Sequence, residues 1–112
     1  MRVGVDIVHI PRFERAIERW GERLLRRLFV EEELADRRVE HLAGVFAAKE
    51  AFLKALGRGL SGLSWHDIRV FDDQGGAPRL WASERVGFKG QAALSISHEG
   101  EYAIAVCLLE EP

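Results

Sequence analysis

Glu50 and Lys54 lie in the run FAAKEAFLKALG (Phe46 to Gly57). They stand four residues apart, so a carboxylate and an ammonium share one helical face. Asp6, in GVDIVHIPRFE (Gly4 to Glu14), is an isolated carboxylate on an otherwise apolar early strand. Two carboxylates far apart in sequence, with lysines beside one of them, are a donor set suited to a hard cation holding a pyrophosphate. Each feature also has a plainer reading. A Glu four residues before a Lys is a common surface pair worth a few tenths of a kcal/mol. If the odd positions of the strand face a core, Asp6 faces the other side and is solvated. The surroundings weigh toward chemistry. Ala47, Ala48, Ala51 and Ala55 flank the pair and would leave room for a ligand groove, and Lys49 adds a charge next door. Gly57, Arg58 and Gly59 follow and would let a phosphate approach the backbone.

His98 closes the run Leu94-Ser95-Ile96-Ser97-His98. A lone His at a strand end is usually satisfied or solvent-facing, but with Ser97 beside it it could donate to a phosphate or take a proton. His9, His41 and His66 have no comparable company and read as surface residues. No His and Cys pair has zinc-ligand spacing. No Walker loop or dinucleotide glycine fingerprint is present. Arg12, Arg15, Arg19, Arg23 and Arg26 are three or four residues apart and form one stripe if their helix runs through Gly21. That stripe is either a solvated face or a docking surface for an acidic protein.

The elements that must position these groups follow from periodicity. Val3 to Ile10 reads as a strand ended by Pro11, which suits the first turn of a helix. Phe13, Ile17 and Trp20 recur at helical spacing, Gly21 interrupts or bends the helix, and Leu24, Leu25 and Leu28 continue its apolar face. Glu31, Glu32 and Glu33 suit a helix N-terminus. The longest helical pattern runs from about Val39 to Leu56 and stops at Gly57, a left-handed cap. Trp65 to Phe71 and Pro78 to Trp81 read as a strand pair around Asp72-Asp73-Gln74-Gly75-Gly76. Any helix between Ala82 and Gly90 is short. Ala93 to His98 and Tyr102 to Leu109 form a hairpin. A strand, then helices, then strands imply an α+β fold with a mainly antiparallel sheet packed against a long helix.

The chain of 112 residues suits one compact domain spanning residues 1–112. Its apolar runs are too short to span a bilayer. No basic-then-apolar leader precedes Gly4, and the one cysteine, Cys107, allows no internal disulfide, so a cytoplasmic location is expected. The net charge of −2 argues against a dedicated nucleic-acid binder. The charge is uneven. Residues 1–30 carry seven arginines against four acids, and residues 31–112 carry nine basic groups against fourteen acids. Such asymmetry steers an acidic partner to one face.

Taken together, these segments resemble the small holo-acyl-carrier-protein synthases, the 4′-phosphopantetheinyl transferases of fatty-acid synthesis. The blocks GVDIVHIPRFE, FAAKEAFLKALG and LSISHEGEYAIAV match in order, and WHDIRVFDDQGGAP looks like the family's strand–turn–strand segment. The resemblance implies Mg²⁺-dependent transfer of phosphopantetheine from coenzyme A to a serine of apo-acyl carrier protein, releasing adenosine 3′,5′-bisphosphate. It places the metal carboxylates on Asp6 and Glu50, the motif lysine on Lys54, and the strand-end histidine on His98. It implies catalytic roles for Glu50 and Lys54 and substrate contacts from Lys54 and His98, to which the local reading adds Lys49, Gly57 and Ser97. Carrier docking falls on Arg12, with Arg15 and Arg19 beside it. It also implies a homotrimer with coenzyme A bound between subunits. The proton of the attacking serine would go to Glu50 or to a cation-bound water near Asp6.

Four departures stand out. Gly76-Ala77-Pro78 lacks the lysine usual in that turn, and Arg58 replaces a small hydroxyl residue. The Ala82 to Gly90 stretch is short. Val30 replaces a hydroxyl helix cap, a loss of ~1 kcal/mol at a helix start. Two other readings use the same residues: a Mg²⁺-dependent nucleotide or pyrophosphate hydrolase that needs no carrier, and a carrier-binding module without turnover.

Overall fold

The structure, a computed structural model, describes residues 1–112. Strand β1 (Arg2–His9) leads directly into helix α1 (Ile10–Leu28), and helix α2 (Val39–Leu56) follows. A ribbon of β2 (Ile68–Asp72) and β3 (Pro78–Ala82) precedes a hairpin of β4 (Gln91–Glu99) and β5 (Tyr102–Glu110). β1, β5 and β4 form one antiparallel sheet in that order, with Asp6 opposite Ala105 and Ser97 opposite Ile104. α2 lies across one face of this sheet, so the α+β architecture and the long helix are as expected.

Side-chain alternation decides which face of β1 meets α2. Gly4 and Val8 are buried and Asp6 is half-buried, whereas Val3, Val5 and Ile7 are exposed. The parity is therefore the reverse of the solvated-Asp reading. Asp6 faces the helix, and the apolar odd positions face outward. A Cβ at Gly4 would overlap the carbonyl oxygen of Ala51 and lie 2.6 Å from the Ala55 nitrogen. Ala47, Ala48 and Ala51 are wholly buried, and Ala55 nearly so. These alanines line no open groove. They let helix and sheet backbones close on one another, and this contact shapes the site.

Helix α1 is broken at Gly21, whose φ of 62° and ψ of −146° are non-helical. Arg12, Arg15 and Arg19 lie before the break, and Arg23 and Arg26 beyond it, so no continuous stripe exists. Trp20, beside the break, is exposed rather than part of the apolar face. Glu31 to Glu33 do not open a helix. Glu33–Ala35 is a single 3₁₀ turn. Trp65–Asp67 is likewise a 3₁₀ turn, held by Ser64 and Asp67 in a capping box, so β2 begins only at Ile68. The stretch after β3 holds one 3₁₀ turn, Glu84–Val86.

Cys107 sits at the centre of β5 and is wholly buried; burial pushes its thiol up to about 11. Gly4→Ala should cost about 1–3 kcal/mol, the usual penalty of overpacking, with helix and sheet forced apart. Urea unfolding with an unchanged midpoint would contradict this account of the β1–α2 contact.

Candidate active site

Asp6 from β1 and Glu50 from α2 line one cleft of about 500 Å³, together with His9, Arg12, Phe13, Leu28 and Phe46. The Lys54 ammonium, one turn beyond Glu50, lies 2.9 Å from Oδ1 of Asp6. The remote carboxylates are thus brought together, with the lysine between strand and helix. Burial raises the pKa of Glu50, the Asp6 charge raises it further, and the Lys54 charge opposes both. Two carboxylates thus line one cleft, with a single ammonium beside them. All their donors are hard oxygens. This environment fits Mg²⁺, which takes one or two protein carboxylates and leaves its remaining positions to water and phosphate.

Lys49 differs from expectation. Its side chain is wholly buried, and the ammonium donates to the Leu28 carbonyl at 2.8 Å, Glu33 Oε1 at 2.8 Å and the Trp65 carbonyl at 3.2 Å. Burial lowers its pKa, and Glu33 opposes that. An ammonium so enclosed cannot meet a substrate, so Lys49 is a structural tie. Adjacent residues on a helix diverge by about 100°. Lys49 therefore points inward while Glu50 faces the cleft.

Gly57 also serves the fold. It caps α2 at φ 74°, its N–H donates to the Lys54 carbonyl, and the Arg58 N–H donates to that of Leu53. Neither amide is free for a phosphate. The Arg58 side chain donates to the Ser61 carbonyl at 2.9 Å and closes its own loop.

His98 lines a different cleft, with Arg38, His41, Val45, Phe71 and Pro78. Ser97 is exposed on β4. Within one chain, then, Asp6, Glu50 and Lys54 form one centre, and His98 belongs to a second. His41 and Arg38 share that second cleft, although nothing in their local sequence singles them out. His9 is not the surface residue that its sequence neighbours imply. It is half-buried in the Asp6 cleft, with Nε2 at 3.5 Å from the Glu101 carboxylate and its ring 5.3 Å from that of Tyr102. His66 is exposed, as expected, and its Nε2 donates to the Arg26 carbonyl oxygen at 2.6 Å. Arg12, Arg15 and Arg19 are exposed and make no ion pair within the chain, and Arg12 borders the Asp6 cleft.

Comparison with known proteins gives the class to which this fold belongs. Residues 2–107 match the family model of the 4′-phosphopantetheinyl transferase superfamily, and the chain belongs to that superfamily. Its relatives within it are holo-[acyl-carrier-protein] synthases. That of Chloroherpeton thalassium is 43% identical, with 98% of each chain covered. That of Geobacter sulfurreducens is 42% identical, covering 97% of this chain and 96% of the relative. Among solved structures, Helicobacter pylori holo-[acyl-carrier-protein] synthase in complex with coenzyme A superposes with a TM-score of 0.90 at 34% identity. That match covers 96% of this chain and 99% of the other.

The raised pKa of Glu50 carries a stability consequence. The folded state holds that proton more tightly than the unfolded chain does. Its contribution is therefore complete below the ordinary carboxylate pKa and is lost as pH rises through the folded value. In metal-free buffer, Glu50→Gln should melt a few degrees above wild type at pH 8, and the gap should close towards pH 4. Differential scanning fluorimetry across that range measures it; a variant melting lower at pH 8 would contradict the assignment.

Proposed function

We propose that this chain transfers 4′-phosphopantetheine from coenzyme A to a serine hydroxyl of apo-acyl carrier protein, releasing adenosine 3′,5′-bisphosphate. The observation that carries the reading is the meeting of Asp6 and Glu50 in one cleft bordered by a basic helix, with Lys54 paired to Asp6 at its edge. Asp6 and Glu50 are the residues that would hold Mg²⁺. The cation would supply charge neutralisation for the phosphoryl oxygens. In the transfer, the serine oxygen forms a bond to the β-phosphorus of coenzyme A, the one bearing pantetheine. The bond from that phosphorus to the bridging oxygen breaks, and the serine proton leaves to a base. Glu50, or a water beside Asp6, is placed in the cleft to take it. Lys54, half-exposed on a flexible stem, can turn its ammonium to the departing oxygen. Positioning and electrostatics dominate such phosphoryl transfers.

Arg12, Arg15 and Arg19 lie unpaired along the first segment of α1 and suit an acidic carrier protein. The chain's second cleft supports a site shared between copies. Val3, Val5, Ile7, Ile104 and Leu108 leave an apolar sheet face exposed on a small protein. Covering that face with further copies, as a homotrimer, would bring the His98 cleft of one copy to the acidic cleft of another. Coenzyme A would then lie between them, with His98 and Ser97 toward its phosphates. No helix is long and apolar enough to cross a membrane, and a cytoplasmic setting in fatty-acid synthesis accords with the substrates.

Intact-protein mass spectrometry of apo-acyl carrier protein incubated with the chain, coenzyme A and Mg²⁺ should show the gain of one phosphopantetheine. Asp6→Ala and Glu50→Ala should each lose at least ~100-fold in kcat while staying folded; near-normal turnover would refute the metal assignment. Phosphate release from coenzyme A without a carrier would favour a hydrolase instead. Arg12→Ala should raise KM for the carrier severalfold and leave KM for coenzyme A unchanged; equal effects on both would refute docking. Ile7→Asp should give a monomer by light scattering with little activity, and an active monomer would overturn the shared site.

A further inference from the structure

The ion pair between Lys54 and Asp6 joins two groups that the reaction needs for different partners. Asp6 Oδ1 accepts from the Lys54 ammonium at 2.9 Å. A carboxylate oxygen engaged by an ammonium is a poorer cation ligand, and a second positive charge nearby repels the incoming ion. The two side chains are unequal in freedom. Asp6 is held on a strand with its side chain 15% exposed, whereas that of Lys54 is 54% exposed. Lys54 can therefore leave at little cost, since exposed ion pairs are weak and the lysine stem is mobile.

We propose that the Lys54 ammonium stands in for the divalent cation on Asp6 in the free protein, and that an arriving pyrophosphate draws it away and opens Asp6 to the metal. The proposal rests on the transferase reading and adds an order to it. Lys54 exchanges one anion for another, from the Asp6 carboxylate to a phosphate oxygen, and the cation takes the vacated oxygen. The coupling is reciprocal: coenzyme A strengthens cation binding through Lys54, and the cation strengthens coenzyme A binding through the lysine it displaces. Glu50, on the same helical face, also feels the Lys54 charge and gains cation affinity when the ammonium moves off.

The test is a calorimetric titration with Mn²⁺ as the probe, on wild type, Lys54→Met and Lys54→Arg, each with and without coenzyme A. Without coenzyme A, Lys54→Met should bind Mn²⁺ about two- to fivefold more tightly than wild type, the factor an exposed ion pair corresponds to. Lys54→Arg keeps the charge and should stay near wild type. Coenzyme A should tighten Mn²⁺ binding less in Lys54→Met than in wild type. Lys54→Gln serves equally if the methionine variant does not fold, as judged by circular dichroism. Equal or weaker Mn²⁺ binding by the uncharged variants would overturn the stand-in role, even if wild type still modifies the carrier in the mass-spectrometric assay. Absence of Mn²⁺ binding by any form, together with no transfer in that assay, would remove both this inference and the transferase reading.

Discussion

The distance of closest approach between β1 and α2 governs everything that follows in this molecule. Glycine at position 4, set against Ala51 and Ala55, lets the two backbones close on one another. Asp6 lies two residues beyond Gly4, on the same side of the strand. Glu50 and Lys54 flank Ala51 and Ala55 on the helix. Closing the backbones therefore brings the acidic and basic groups within ion-pair reach. The site is a by-product of tight packing between a strand and a helix whose paired residues, Asp6 and Lys54, are 48 positions apart. It is held by rigid elements rather than loops, which favours the precise placement that phosphoryl transfer needs.

A buried polar knot fixes the second coordinate of the site. Glu33 accepts from Lys49 Nζ at 2.8 Å and from the backbone N–H groups of Val30 and Val70 at 2.8 and 2.9 Å. Lys49 in turn donates to carbonyls at the end of α1 and in the turn before β2. The knot ties α1, α2 and the β2–β3 ribbon together. At Val30, where a hydroxyl cap is missing, the other half of a capping box persists: the Glu33 carboxylate accepts from the Val30 N–H, and the Glu33 N–H donates to the Val30 carbonyl. Buried ion pairs add little net stability, but removing one partner leaves the other charge unsatisfied at a cost of about 3–5 kcal/mol. Leu28, whose carbonyl Lys49 binds, also lines the acidic cleft, so the knot and the cleft share a wall.

Much of this was legible in the sequence. Periodicity located α2, the β4–β5 hairpin and the break at Gly21, because these are long or strongly punctuated patterns. Asp6, Glu50 and Lys54 were visible as an unusual juxtaposition of charge and small residues. The facing of β1 was not, since Val3, Val5 and Ile7 look like a core face and are in fact an uncovered one. The same ambiguity misplaced Lys49, which differs from Glu50 only in its direction around the helix. Gly57 and Arg58 resemble a phosphate loop in composition, but their amides are spent on closing the helix. The partition of Asp6 and His98 between two clefts arises from tertiary geometry, which local patterns do not encode.

The placement of Cys107 has a practical corollary. Its sulfur is sealed between sheet and helix, and its proton is retained well above neutral pH. The thiolate that alkylating reagents attack is scarce in the native state. The residue lies on the central strand of the sheet, whose exposure requires the whole β1–β5–β4 array to come apart. A maleimide pulse at this single sulfur therefore counts molecules that have opened globally, and local fraying of the termini or of the β2–β3 ribbon leaves it silent.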